Sequence, residues 1–251
     1  MEDRKSHYTQ FVRNFSDSSF ANDYYNTRNL SKKLIKDKLV GFCPAYSRYH
    51  FPLLRGRLIV PICDVDGKII ALAGRQIPQL AETTTQSFWD SYSFEPAKCQ
   101  DRINKWNKGK WINEPYQKTR NLFFLNIAKK EALKRNYIIL VEGYFDVYNF
   151  YDNGYANTCA LCGTSISDYQ IALASRYCDN IIVIMDSDDA GKLASEKIIS
   201  KIKEYSINAH RVLLPKGMDP DDFASKYDIS FLDESIKEMI GSGQQDLLVK
   251  I

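Results

Sequence analysis

From residue 122 onward, short apolar runs alternate with longer amphipathic segments, and this alternation limits the possible folds more than any other feature of the sequence. Four runs rich in β-branched and other apolar residues predict buried strands, at 137–141, 156–161, 180–185 and 209–214. Helical periodicity predicts the intervening elements, at 122–135, 144–153, 167–177, 190–205 and 220–227. Because repeated β-α units form parallel sheets covered on both faces, we predict an α/β fold with a mainly parallel sheet flanked by helices.

The upstream part of the chain has a different pattern. Residues 57–64 and 68–74 flank the pair Asp66-Gly67, which predicts a β-hairpin with a type I′ turn. Residues 21–39 follow the helical period, whereas about the first 20 residues are polar and are expected to form a leader or a loop. We expect an irregular inserted loop over 78–109.

These patterns predict a smaller mixed α+β subdomain ahead of the parallel sheet. The expected divisions are a basic N-terminal subdomain over 1–121, a catalytic domain over 122–228 and a C-terminal helical tail over 229–251.

The charge distribution separates the two halves. Residues 1–120 contain 20 Lys and Arg against 12 Asp and Glu, whereas residues 121–251 contain 14 against 19. A basic half followed by an acidic half suggests one surface for a polyanion and another that holds cations or supports catalysis. The sequence has no apolar run of the ~18 residues needed to span a membrane and no signal-peptide pattern. Its cysteines are expected to be reduced thiols, so we predict a cytoplasmic protein, or one in the host cytoplasm if it is viral.

Acidic residues follow three of the predicted strands. They are Glu142 and Asp146, then Asp186 and Asp188, then Asp219 and Asp221. Since ligands of parallel sheets bind at the carboxyl ends of the strands, we expect these carboxylates to meet at one edge. Oxygen ligands of this kind suit Mg²⁺ or Mn²⁺, and two such ions can activate an attacking hydroxyl and neutralise a leaving phosphate.

Helix capping offers a second interpretation of some of these acids. Asp188 could cap the helix that follows it, and Asp219 precedes Pro220, a favoured arrangement at a helix start. Capping explains Glu142 less well, because an unpaired carboxylate directly after a buried strand is costly.

Four segments of the acidic half resemble the TOPRIM core of bacterial-type DNA primases. They are Glu142-Gly-Tyr-Phe-Asp-Val147, Gly163-Thr-Ser165, Asp186-Ser-Asp-Asp-Ala-Gly191 and Leu214-Pro-Lys-Gly-Met-Asp-Pro-Asp221. Topoisomerases and some nucleases share TOPRIM, so the upstream segments carry the specificity. Those similar to the primase segments are Arg55-Gly-Arg57, Gly74-Arg75, Lys110-Trp-Ile-Asn-Glu-Pro115 and Lys118-Thr-Arg-Asn-Leu122.

The resemblance implies template-directed synthesis of RNA primers on single-stranded DNA from ribonucleoside triphosphates. It implies Glu142, Asp186 and Asp188 as principal ligands of two or more Mg²⁺ or Mn²⁺ ions, with Asp146, Asp219 and Asp221 as further ligands or supports. Nucleotide or DNA contacts are expected from Arg57, Arg75, Lys110, Trp111, Asn113 and Lys118.

The sequence departs from the family pattern at both ends. The family's N-terminal zinc-binding domain and its C-terminal helicase-interaction region have no counterpart in these 251 residues. We therefore expect a separate zinc-binding protein or the replicative helicase to act in trans. The alternatives to a primase are a TOPRIM-type nuclease and a catalytically reduced relative that only binds single-stranded DNA.

Overall fold

The computed structural model of the protein describes residues 4–45, 47–78, 80 and 109–249. The described residues form two compact units. The first lies within Met1–Ile62 and Ile69–Tyr116, and the second within Cys63–Lys68 and Gln117–Ile251. Apart from residues 78, 80 and 109, the predicted inserted loop over 78–109 lies outside the described residues.

The first unit contains three helices and four strands among its described residues. They are α1 (Arg4–Asp17), α2 (Ser19–Thr27), α3 (Lys32–Lys36), β1 (Gly41–Cys43), β2 (Arg57–Cys63), β3 (Ile69–Gln76) and β4 (Trp111–Asn113). The strands form a sheet of order β1-β2-β3-β4, in which the β1–β2 and β3–β4 pairs are antiparallel. The predicted mixed α+β character of this part is confirmed.

Helix α1 replaces the predicted polar leader, so that prediction was wrong. Its buried residues Tyr8, Phe11 and Phe15 recur at spacings of three and four, which places them on one face of the helix. The Cβ atom of Phe11 lies so close to Gly41 of β1 that a Cβ added there would be 3.0 Å away. The sequence pattern did not reveal this helix, because its three buried apolar residues lie among many polar and hydroxyl-bearing ones.

The helix predicted over 21–39 is interrupted. Asn29 has a positive φ of 52°, which ends the run of α2, and Ser31 then caps α3 by accepting a hydrogen bond of 3.1 Å from the Lys33 N–H. The predicted capping role of Ser31 is confirmed.

The predicted hairpin is formed by β2 and β3, but its turn is not type I′. Type I′ needs positive φ at both central residues. Between Asp64 and Lys68 only Gly67 has one, at 87°. The Asp64 side chain instead accepts hydrogen bonds from the N–H groups of Asp66 and Lys68, at 3.1 and 2.9 Å. This carboxylate stabilises a longer turn that requires only one glycine.

The second unit is built on a five-stranded sheet. Its strands are β5 (Tyr137–Val141), β6 (Thr158–Ala160), β7 (Asn180–Val183), β8 (Asn208–Leu213) and β9 (Asp246–Leu248). Their order is β6-β5-β7-β8-β9, and every neighbouring pair is parallel. The predicted parallel sheet is confirmed.

Helices cover both faces of this sheet. They are α4 (Leu125–Arg135), α5 (Tyr144–Asp152), α6 (Asp168–Ala174), α7 (Asp189–Lys203), α8 (Pro220–Lys226) and α9 (Leu232–Ser242). Ile138 and Leu140 on one face share a buried cluster with residues of α4, α6 and α7. Tyr137 points to the other face, where its hydroxyl donates to Asp233 of α9.

The segment over 229–251, predicted as a helical tail, contains α9 and also β9. Strand β9 pairs with β8 from Arg211 to Leu213, so this segment completes the sheet. The predicted division of the chain at 121 and 228 stays a prediction.

The tip of the β2–β3 hairpin, Cys63–Lys68, belongs to the second unit. Asn121 donates to the Cys63 carbonyl at 3.1 Å, and Lys129 of α4 donates to the Val65 carbonyl at 2.8 Å. Among the described residues, no helix is long and apolar enough to cross a membrane.

Candidate active site

The acidic residues converge at the carboxyl edge of the parallel sheet. Glu142 directly follows β5, Asp186 and Asp188 follow its neighbour β7, and Asp219 and Asp221 follow β8. Because adjacent parallel strands end at the same edge, the topology brings these carboxylates together, as the sequence predicted.

Helix α5 supplies the sixth acid. Asp146 lies in its first turn and accepts a hydrogen bond of 2.7 Å from the Gly143 N–H through Oδ2. Three residues along the same helix, the buried Asn149 donates to Oδ1 of Asp221. Two acids that lie far apart in the sequence are thus held through one helix.

Two of the acids also cap helices, so the capping interpretation is confirmed for both. Asp188 accepts a 2.7 Å hydrogen bond from the Gly191 N–H at the start of α7. Asp219 accepts a 2.6 Å hydrogen bond from the Asp222 N–H at the start of α8, where Pro220 is the first helical residue. Each cap uses only Oδ1, which leaves Oδ2 for another ligand.

The site is electrostatically strained by its own negative charge. Burial, followed by the charges of Glu142, Asp219 and Asp188, raises the pKa of Asp186 to about 6. Burial, and then the charge of Asp188, also raises the pKa of Glu142. A cation beside them would stabilise the ionised form of both carboxylates and lower their pKa values.

The pKa of Asp146 is also strongly raised. Burial, together with the charges of Asp221, Asp186 and Asp219, brings it to about 7. The hydrogen bond from Gly143 opposes this shift only in part. The perturbed carboxylates indicate that this edge is a candidate functional site, since shifted pKa values cluster at catalytic and binding sites.

The donor set suits a hard divalent cation. No group of three His, Cys, Asp or Glu side chains in the described part of the chain forms a ready-made metal cage. Mg²⁺ needs only one or two carboxylates, because it keeps several of its waters. The carboxylates of Glu142 and Asp186 accept no hydrogen bond from any described residue, so they remain available as ligands.

Hydrogen bonds of Ser187 and the close approach of Gly191 fix the position of Asp186. The Ser187 N–H donates to the Met218 carbonyl at 3.0 Å, and the Met218 N–H donates to the Ser187 hydroxyl at 2.8 Å. A Cβ at Gly191 would lie 2.2 Å from the carbonyl oxygen of Asp186. Only glycine therefore lets α7 start so close to the acidic residue.

Four of the predicted contact residues lie on β3 and β4 of the first unit or next to them. Arg75 and Trp111 face each other across the two strands, and the guanidinium lies 5.6 Å from the ring centroid. The Arg75 Nε also donates to the Tyr24 hydroxyl at 2.8 Å. Lys110 is exposed just before β4, and Asn113 is the last residue of that strand.

Arg57 has a different setting from the one expected of a DNA contact. It is fully buried, and its Nη1 donates to the carbonyls of Gly109 and Gly74 at 2.9 and 3.2 Å. Burial lowers the pKa of Arg57 to about 10. This placement favours a role in holding β3 and the start of β4 together rather than direct binding.

Lys118 lies in the second unit, close to the acidic edge. Its Nζ donates to the Cys162 carbonyl at 3.4 Å, and the Cys162 N–H donates to the Glu142 carbonyl at 2.9 Å. Lys118 is therefore two hydrogen bonds from Glu142, whereas Lys110 belongs to the other unit.

Comparisons with known proteins agree with this geometry. Residues 139–224 match the family described as Toprim-like. The DNA primase of Aquifex aeolicus is 30% identical over 203 residues, which cover 79% of this chain and 34% of that protein. The DNA primase of Rickettsia bellii is 26% identical over 253 residues, or 87% of this chain and 38% of that protein. The chain is thus similar to bacterial-type DNA primases, and its residues 139–224 are the Toprim-like part.

The chain spans about a third of the length of these curated relatives. Among solved structures, the zinc-binding and RNA polymerase domains of Aquifex aeolicus primase match with a TM-score of 0.70 and 24% identity, covering 94% of this chain and 59% of that one. A DnaG primase catalytic domain bound to single-stranded DNA matches with a TM-score of 0.72 and 22% identity, covering 93% and 79%. At these identities the structures establish the shared fold, and the predicted fold class and primase resemblance are confirmed.

The sequence analysis missed three residues that shape the primase-like acidic edge. Asn149 orients Asp221, and Ser187 stabilises the turn after Asp186. Cys162 links the Lys118 segment to Glu142. A lone asparagine inside the otherwise apolar run of α5 was the available signal for Asn149. Ser187 and Cys162 act through contacts with distant segments, which residue patterns do not show.

Proposed function

We propose that this chain is the catalytic core of a DNA primase that joins ribonucleotides into short RNA primers on a single-stranded DNA template. The observation that carries the proposal is the pair of carboxylates, Glu142 and Asp186, which accept no hydrogen bond from the described residues and follow β5 and β7 at the carboxyl edge of a TOPRIM sheet. In the reaction, the 3′-hydroxyl of one nucleotide attacks the α-phosphate of the next, and pyrophosphate leaves.

Glu142, Asp186 and Asp188 would hold Mg²⁺ or Mn²⁺ ions, with Asp146, Asp219 and Asp221 as further ligands or supports. When bound, such ions neutralise the charge on the phosphates and lower the pKa of the attacking hydroxyl. We propose that two or more ions bind.

The other residues bind and orient the substrates. Asn149 and the Gly143 N–H fix the oxygens of Asp221 and Asp146, so these two carboxylates do not have to reorganise when charge develops. Lys110 and Arg75 are cations suited to template or triphosphate phosphates, and Trp111 offers a ring on which a base can stack. Lys118 supplies positive charge two hydrogen bonds away from the main chain of Glu142.

The proposed partners follow from this reaction. They are a single-stranded DNA template, ribonucleoside triphosphates and the replicative helicase or a zinc-binding protein. We propose that the protein works in the cytoplasm, or in that of a host.

Primer synthesis on single-stranded DNA tests the proposal. The protein is incubated with the template, four ribonucleotides of which one is labelled, and Mg²⁺ or Mn²⁺. Short RNA products that vanish in Glu142→Gln and Asp186→Asn support a primase. The matched control is Asp189→Asn, because Asp189 is fully exposed only one residue after Asp188. Shortened DNA without RNA product would indicate a nuclease, and intact DNA binding without either product would indicate a binding relative.

A further inference from the structure

A buried carboxylate lies at the end of β4, the strand that carries Trp111 and Asn113. Glu114 is the next residue, and only 2% of its surface is exposed. Within the described part of the chain, three hydrogen-bond donors and the ring nitrogen of a histidine surround it. They are the Tyr49 hydroxyl at 2.7 Å and His50 Nε2 at 3.3 Å on Oε1, and the Leu72 N–H at 2.9 Å and Arg4 Nε at 3.1 Å on Oε2.

The main chain of Glu114 contacts the same neighbour as its side chain. Its N–H donates to the Leu72 carbonyl at 2.9 Å while its Oε2 accepts from the Leu72 N–H. Leu72 lies in β3, one residue before the paired stretch Ala73–Arg75. Glu114 thereby extends the short β3–β4 ladder with a side-chain hydrogen bond and fixes its register at this end.

The opposite end of β4 is held by the buried Arg57, which donates to the Gly109 carbonyl. The three paired residues and the hydrogen bond from the Gln76 N–H to the Lys110 carbonyl hold the strand only weakly, because each net hydrogen bond contributes only about 1 kcal/mol. Hydrogen bonds of charged groups are stronger. The two charged residues therefore add to the main-chain pairing that positions Lys110, Trp111 and Asn113.

We propose that Glu114 is a positioning residue of the primase reaction, which sets the template- and nucleotide-binding strand β4 through Leu72, Tyr49 and Arg4. The inference rests on the proposed function of the chain. Glu114 itself is too buried to touch a substrate. It acts by keeping Lys110 and Asn113 in place, so its loss should weaken the binding of template and nucleotide.

Glu114→Gln tests the role directly. Glutamine has one acceptor oxygen where the carboxylate uses two, so its amide group must face a pair of donors. We expect the KM for ribonucleotides to rise about tenfold while kcat changes less than about twofold. The amide of Leu72 should exchange with solvent at least about tenfold faster, because it loses a hydrogen bond to a charged acceptor.

Two tyrosines of the same core cluster provide a matched pair. Tyr49 donates to Glu114, whereas Tyr8 donates to the Lys38 carbonyl at 2.8 Å, and each pairing uses one hydroxyl. Tyr49→Phe should raise the KM and speed Leu72 exchange, and Tyr8→Phe should do neither although both variants lower the melting temperature. Equal effects of the two variants, or an unchanged KM and exchange rate in Glu114→Gln, would overturn the inference.

Hydrogen exchange needs no catalytic activity. If the wild-type protein made no primers, the proposed function would fail, but faster Leu72 exchange in Glu114→Gln and not in Tyr8→Phe would still support the placement of β4 by Glu114. Unchanged exchange would reject it whatever the activity.

Discussion

Replacing Asp146 by asparagine should make the metal-free protein less sensitive to pH. The folded state raises the pKa of Asp146 from an ordinary 3.8 to about 7, so it binds a proton more tightly than the unfolded chain does. The stabilisation by that proton is fully present below the unfolded pKa and is lost as the pH rises through the folded one. Asparagine has no such proton to lose, and its amide oxygen can still accept the hydrogen bond from the Gly143 N–H.

The magnitude follows from proton linkage. Between pH 4 and pH 7 the folded state holds about one extra proton at Asp146, so the free energy of unfolding falls by up to about 1.4 kcal/mol per pH unit. Over three units the limit is about 4 kcal/mol. The side chain keeps some contact with solvent, and screening reduces the expected loss to about 2 kcal/mol.

Urea unfolding in EDTA at pH 5, 6, 7 and 8, followed by circular dichroism, gives the measurement. The free energies of unfolding of wild type and Asp146→Asn should become more similar towards acid pH. Towards pH 8 the variant should become increasingly more stable than the wild type. The exposed Asp189→Asn should show no such trend. Parallel pH curves for wild type and Asp146→Asn would refute the assignment of the strain to Asp146.

Three further predictions concern glycine, arginine and lysine. Gly191→Ala should lower the free energy of unfolding by about 1–3 kcal/mol and abolish primer synthesis, because its Cβ would meet the Asp186 carbonyl. The control is Gly241→Ala in α9, which has open space around it and should change neither stability nor primer synthesis. Arg57→Ala should lower the melting temperature, since it removes the hydrogen bonds to the Gly74 and Gly109 carbonyls. A normal melting curve with lost DNA binding would instead assign Arg57 a direct contact. Lys110→Ala should leave melting unchanged and reduce the salt slope of single-stranded DNA binding by about 0.7, and an unchanged slope would remove Lys110 from the interface.

The acidic edge could be predicted because it depends on topology. Apolar runs gave the strands, their alternation with helices gave parallel pairing, and parallel pairing brings strand ends such as those at Glu142 and Asp186 to one edge. The capping roles of Asp188 and Asp219 were also visible, since they depend on residues next in the sequence.

Other features depend on contacts between distant segments. Arg57 reads as a phosphate-binding cation in the sequence, yet the carbonyls that surround it come from residues 74 and 109. Glu114 receives donors from residues as far away as Arg4. Helix α1 was missed because three apolar side chains, which are enough to pack on β1, are few among many hydroxyl groups.

The hairpin tip Cys63–Lys68 has a consequence for how such chains evolve. Because this tip belongs to the second unit while its strands belong largely to the first, the chain changes unit after residues 62, 68 and 116. Asn121 and Lys129 bind main-chain carbonyls of this tip. A single genetic crossover after residue 116 would combine the tip of one parent with the residues at positions 121 and 129 of the other. The basic and acidic units should therefore be inherited as one piece, and substitutions in the tip should be matched by changes in the second unit.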